Sequence, residues 1–413
     1  MSKKKIIIIV IVVSLLAVSV FQIPRVESAF SWRYEKLTIY LRNIVDPPGP
    51  VPTALPVTPV PSTAQAAEMS EALATPTLAI ETQAVAMPTA TDASLPMQVI
   101  LPSPPHEEQS PNNCGPATLS MALHLYGWEG DQSDIAAQIK PVLQDRNVNP
   151  EEMAYYVRNF AGWLNVGYRV AGNLPTLKKL LAANYPVIVE SVTSLDVNDA
   201  FGPTDDLWAA HYLLLTGYDD NAQTFIMQDS YHGADLTISY EQLEDEWKPF
   251  NNLYMVLYFP GDENELETLL GSDWNPDANR QRALSEAQIA TEADPDNAYL
   301  WFNLGSDLVY FEEYEAAALA YDKAREIGLP KRMFRYQFGP FWAYFHADRI
   351  EELLLLTDYA RGITKMSEET WFWYGWGLYR QNKFKDAKAA WEKALSINDS
   401  PYVDAHTALK YVQ

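Results

Sequence analysis

The stretch Asn113-Cys114-Gly115-Pro116-Ala117-Thr118-Leu119-Ser120-Met121-Ala122-Leu123 decides how the rest of this 413-residue chain is read. It leaves a polar turn, Ser110-Pro111-Asn112-Asn113, and continues as an apolar-periodic helix that stops near Gly127. Cys114 therefore falls at a helix amino terminus, where unpaired N–H groups and the positive end of the helix dipole favour thiolate over thiol. Gly115 permits close backbone approach to that sulfur, and Pro116 suits the first turn, where a missing N–H costs nothing. The competing reading is a small buried apolar residue; polar neighbours upstream weigh against it. Cys114 is the sole cysteine, so no intramolecular disulfide forms and stability must come from packing.

A thiolate nucleophile needs a base and an orienting partner, remote in sequence but near in space. Residues 185–190 and 211–218 read as buried strands, 219–222 as a turn, and 224–229 as a third strand paired to the second. That hairpin brings His211, at the start of one strand, beside Asp229, at the end of the other. Each has a plainer reading: a satisfied half-buried histidine, and an aspartate capping the turn that follows. Taken with Cys114 they make a Cys/His/Asp set, and His106, His124 and His232 are less well placed as bases.

Gln109, Asn113-Cys114-Gly115-Pro116-Ala117, Gly127-Trp128, His211-Tyr212-Leu213-Leu214-Leu215-Thr216-Gly217-Tyr218-Asp219-Asp220 and Gln228-Asp229-Ser230 together resemble papain-like cysteine peptidases of the bacteriocin-processing, double-glycine type. The resemblance implies an α+β papain-like domain over residues 106–262 in which Cys114 is nucleophile, His211 base, Asp229 orienter and Gln109 an oxyanion-hole donor, five residues before the cysteine. The chain shows no Gly-rich phosphate loop with Lys-Ser or Lys-Thr, so the exported, stand-alone members are the comparison. A catalytically inactive papain-like domain that binds peptides together with the rest of the chain, and an amidase or transpeptidase on the same fold, are the alternatives.

Lys plus Arg number 30 against 54 Asp plus Glu, a net charge of −24, which excludes a phosphate-backbone binder and hence a nucleic-acid partner. Hydrophobic residues at 48% and aromatics at 12% exclude a disordered chain. Lys3, Lys4 and Lys5 precede an apolar run over residues 6–21, whose length lies between a signal-peptide core and a membrane span. Residues 1–24 are expected to be a signal anchor, with the remainder outside the cytoplasm, or else a cleaved signal peptide. Trp32, Tyr34 and Tyr40 among Arg33, Lys36 and Arg42 suit an interfacial belt beside such a helix. Residues 25–105 read as a juxtamembrane segment and stalk: from 46 to 105 there are 13 of the chain's 28 prolines, five acids and no base, the composition of an extended spacer.

From 277 to 413 the pattern Trp301-x-x-Leu304-Gly305-x-x-Leu308, with Tyr314, Ala317, Tyr321, Ala324 and Pro330, recurs as Trp371-x-x-Tyr374-Gly375-x-x-Leu378, with Phe384, Ala387, Trp391, Ala394 and Pro401. Phe338-Gly339-x-x-Trp342 is a degenerate middle copy, and Ala283, Ala287 and Ala290 suit the second helix of an earlier one. This resembles the tetratricopeptide repeat, an all-α solenoid that binds protein or peptide. The expected whole is an exported thiol peptidase with a partner- or substrate-binding solenoid. No cofactor is expected, and no metal, because the six histidines are dispersed without His-x-x-x-His or Cys-x-x-Cys spacing.

Overall fold

The computed structural model describes residues 24–56, 95–200, 202, 205–399 and 404–412. All but Pro24 of the expected signal anchor over residues 1–24, Trp32's side chain, and most of the proline-rich stretch lie outside the described residues. Among the described residues no helix is long and apolar enough to cross a membrane.

Helix α1 spans Pro24–Val45, and β1, Gln98–Ile100, opens the first domain. Three helices follow: α2 Cys114–His124, α3 Gln132–Ile139 and α4 Pro150–Phe160. Then come β2 Asn165–Arg169, α5 Leu174–Ala182, β3 Val187–Ser194, β4 Trp208–Asp219, β5 Thr224–Asp229, β6 Gly233–Ser239, α6 Tyr240–Trp247, β7 Tyr254–Tyr258 and α7 Glu263–Leu270. The strands form one antiparallel sheet in the order β2-β7-β3-β4-β5-β6, with β1 paired to the far end of β4. Strand periodicity of two divides its apolar residues between two cores. Val187, Val189, Leu213, Leu215 and Val256 face α5 and α6, while Ile188, Tyr212, Leu214, Met255 and Leu257 face α2, α3 and α4. The papain-like α+β class is thus present, its sheet beginning at Gln98.

The second region is all helical: α8 Pro276–Ala293, α9 Ala298–Tyr310, α10 Tyr314–Ile327, α11 Gly339–His346, α12 Ile350–Ile363, α13 Glu368–Arg380, α14 Phe384–Ile397 and α15 Ala405–Leu409. Glycine recurs where a large ring crosses at close range: a Cβ on Gly305 would lie 2.8 Å from the Tyr321 ring, and Gly375 faces Trp391 in the same way. Most of the aromatic stripe is inter-helix core, including Phe302, Tyr321, Phe341, Trp373 and Trp391.

Domain and solenoid share a seam. Trp208 of β4 stacks on Phe250 and meets Tyr336, Gln337 Nε2 donates to Pro249 O (2.8 Å), and Asn251 Nδ2 donates to Asp307 Oδ1 (2.8 Å). The amino-terminal segments also pack here. Lys36 pairs with Asp199, Arg42 donates to Gly362 O (2.5 Å), and Tyr34 and Tyr40 stay exposed. Beyond α1, Val51 is buried in the solenoid core, and Arg325 donates to the carbonyls of Pro52 (2.8 Å) and Thr53 (3.2 Å). The first part of the proline-rich stretch therefore lies against the solenoid, because an extended segment without internal hydrogen bonds leaves its carbonyls open to a buried guanidinium.

Candidate active site

Cys114 is the first residue of α2, preceded by Asn113 as N-cap, and Gly127 ends the following turn at φ 81°. The helix is pinned to β4: Thr118 Oγ1 donates to Tyr212 O (3.1 Å), and a Cβ on Gly115 would stand 3.1 Å from Val148 Cβ. Because Tyr212 adjoins His211 in β4, this packing sets the distance between thiol and imidazole. Strand β4 starts three residues before His211, so the histidine stands inside the strand and its ladder with β3, opposite Ser191.

His211 Nε2 donates to Asp229 Oδ1 (2.7 Å), leaving Nδ1 for the hydrogen bond that joins the ring to Cys114. Asp229 is unusually well supplied with donors. Its Oδ1 also accepts from the N–H of Tyr231 (2.8 Å) and of His232 (3.1 Å), and its Oδ2 from His232 Nδ1 (2.7 Å). A buried carboxylate is costly unless its oxygens are satisfied, and these are.

The electrostatics follow. Burial pushes the Cys114 thiol up, yet the hydrogen bond and charge of His211 and backbone N–H groups of Tyr212 and Gly115 hold it below the ordinary thiol value. Burial alone would depress the His211 imidazolium, but its bonds to Asp229 and Cys114 lift it to about 10. Against a burial cost of opposite sign, His211 and His232 hold the Asp229 carboxyl well below the usual range. A thiolate–imidazolium pair backed by a carboxylate is the favoured charge state.

Cys114 and His211 open into a cleft of about 260 Å³, also lined by Gln109, Ser230 and Arg146. Gln109 Oε1 accepts from Ser230 Oγ (2.9 Å) and its N–H donates to Ser230 O (2.8 Å), which fixes the side chain with Nε2 as the remaining donor. The structure thus brings Cys114, His211, Asp229 and Gln109 to one place. His106 Nε2 lies 3.0 Å from the Asp229 carbonyl and His124 Nε2 2.8 Å from Gly130 O, so neither serves the thiol.

Sequence reasoning missed the supports. His232, set aside there as a poorly placed base, is the second partner of Asp229. Gln132 accepts at Oε1 from Ser110 N–H (2.7 Å) and Asn113 Nδ2 (2.7 Å) while donating to Glu108 O (2.8 Å), which holds the loop before the cysteine. Lys36, Arg335 and Tyr336 border the cleft from α1 and the solenoid. No local sequence signal marks these, because each acts across a seam.

Residues 102–255 match the Peptidase_C39 like family and residues 368–401 the Tetratricopeptide repeat family. The search of curated proteins finds no match. Among solved structures, a C39-like peptidase from Bacillus anthracis is 16% identical, over 40% of this chain and 98% of that one, with a TM-score of 0.31. Xylellain, a cysteine protease from Xylella fastidiosa, is 15% identical over 41% and 88%, with a TM-score of 0.31. On the helical side, MamA 41-end from Desulfovibrio magneticus RS-1 is 12% identical over 37% and 84%, with a TM-score of 0.30. Residues 102–255 thus form a C39-like cysteine peptidase domain, and a helical region that contains a tetratricopeptide repeat follows it.

Proposed function

We propose that this peptidase domain cuts peptide bonds with Cys114 as nucleophile, His211 as acid and base, and Asp229 as the residue that orients His211. The observation that carries the reading is the unbroken chain from the Cys114 thiol through His211 to Asp229, set in an open cleft. The thiolate attacks the scissile carbonyl carbon, and the oxyanion takes hydrogen bonds from the Cys114 N–H and Gln109 Nε2. His211 gives its proton to the departing amine. Water, deprotonated by His211, then releases the acyl group from sulfur. The solenoid recruits the peptide or protein substrate, a role supported by the place of Arg335 and Tyr336 on the cleft wall. The apolar run 6–21 behind Lys3, Lys4 and Lys5 supports export with retention at the membrane, both domains outside the cytoplasm.

The test is hydrolysis of fluorogenic casein and of a mixed peptide library by the purified chain and by Cys114→Ala. The wild type is expected to cut and the variant to fall to background; equal rates would dismiss the mechanism.

A further inference from the structure

Away from the cleft, at the seam between the peptidase domain and the last repeat, three carboxylates converge. Glu152 comes from the first turn of α4, and Glu368 and Glu369 open α13. Each is no more than 3% exposed, and one oxygen from each lies within 4.8 Å of the others. Asp145, 1% exposed, adjoins them.

Their hydrogen bonds satisfy only part of this charge. Asn398 Nδ2 is shared between Glu368 Oε1 (2.9 Å) and Glu152 Oε1 (3.2 Å), and Asn149 Nδ2 donates to Glu369 Oε1 (2.7 Å). Glu152 Oε2 takes the Asn149 N–H (2.9 Å), and Ser367 Oγ donates to Glu369 Oε2 (3.2 Å). Glu368 Oε2 and Asp145 Oδ2 are buried with no hydrogen-bond partner. Two buried cations, Lys140 and Arg146, border the group. Four carboxylates against two cations leave a formal charge of −2 in a place without solvent, a costly arrangement unless something neutralises it.

We propose that this seam binds one divalent cation of the calcium class through Glu152, Glu368 and Glu369, clamping the peptidase domain to the final helical pair. The donor set is all oxygen, which hard cations take and thiolate- or imidazole-seeking metals do not. An ion with Ca–O distances of about 2.4 Å spans ligand oxygens up to about 4.8 Å apart. Magnesium, at about 2.0–2.1 Å with octahedral demands, needs a tighter set. The orphaned Glu368 Oε2 gains a partner, and the excess charge of −2 is matched by one ion. Sequence reasoning missed the site because its ligands are acids 216 residues apart (368 − 152).

The experiment uses the purified full chain, stripped with chelator, in calcium and magnesium titrations followed by calorimetry, elemental analysis and thermal melting. One calcium per chain is expected, with a melting temperature that rises with calcium and returns on chelation. Glu368→Gln and Glu369→Gln are each expected to weaken calcium binding roughly tenfold or more, while Glu326→Gln, on an exposed face, leaves it unchanged. If Glu368→Gln fails to fold, Glu369→Gln and the wild-type titration still decide. No retained calcium and an unmoved melting temperature would overturn the proposal, as would Glu368→Gln and Glu369→Gln proteins that bind calcium like wild type.

Discussion

Asp229→Asn separates charge from geometry in the triad. The asparagine oxygen can still accept from His211 Nε2, which donates at 2.7 Å in the wild type, so the ring keeps its orientation. What is lost is the negative charge that, with Cys114, lifts the imidazolium to about 10 against the opposing effect of burial. A charge-assisted hydrogen bond contributes about 1.5–3 kcal/mol, and one pKa unit corresponds to about 1.36 kcal/mol. The loss therefore brings the His211 transition down by about 1–2 units, to about 8–9. A raised imidazolium value keeps the active pair present until pH rises through it, so the alkaline limb of kcat/KM must move down. Relative to pH 7, Asp229→Asn should lose about 3- to 25-fold more activity than wild type at pH 9.5, from the fractions still protonated. The acid limb belongs to the thiol, whose partner is still imidazolium there, and should move less. The assay is the pH profile of fluorogenic peptide hydrolysis for both proteins. An alkaline limb that stays at its wild-type position in Asp229→Asn would refute the coupling.

Three other outcomes follow from the geometry. Gln109→Ala should lower kcat about 10²–10³-fold with little change in KM, because the donor acts on the oxyanion; an unchanged kcat would remove Gln109 from the oxyanion hole. Gly305→Ala puts a methyl 2.8 Å from the Tyr321 ring and should destabilise the solenoid by about 1–3 kcal/mol, read by thermal melting; a neutral effect would mean that the two helices do not approach this closely. Glu190, buried in β3 close to Cys114 and Tyr212, is held well above the ordinary carboxyl range by burial first and the Cys114 charge next. The unfolded chain ionises Glu190 above about pH 4.3 while the fold keeps it protonated, so stability is lost as pH rises. The melting temperature of Glu190→Gln minus wild type should thus grow from pH 4 to pH 8, and a constant difference would contradict the assignment.

The first domain and its site were legible because their signals are local. A Cys-Gly-Pro turn entering a helix and a hairpin that carries His211 on one strand and Asp229 on the next need no long-range information, although β4 begins three residues before His211 rather than at it, and the glycine and ring spacing of the repeats is equally short-ranged. What stayed hidden lies between elements. Val51 and the carbonyls of Pro52 and Thr53 sit in a stretch whose composition reads as a solvated spacer, yet Arg325 fixes them to the solenoid. His232 is unremarkable in sequence and significant only because Asp229 has a second oxygen to offer. Gln132 holds the loop before Cys114 from the start of another helix, and composition carries no trace of that.

The central claim is that Cys114 and His211 form a thiolate–imidazolium pair. Its most direct test is the rate of Cys114 alkylation by limiting iodoacetamide from pH 4 to 9, in wild type and His211→Ala. The account predicts a wild-type inflection well below the ordinary thiol value of about 8.5 and an upward shift in the variant. An ordinary inflection in wild type, unchanged in His211→Ala, would contradict it.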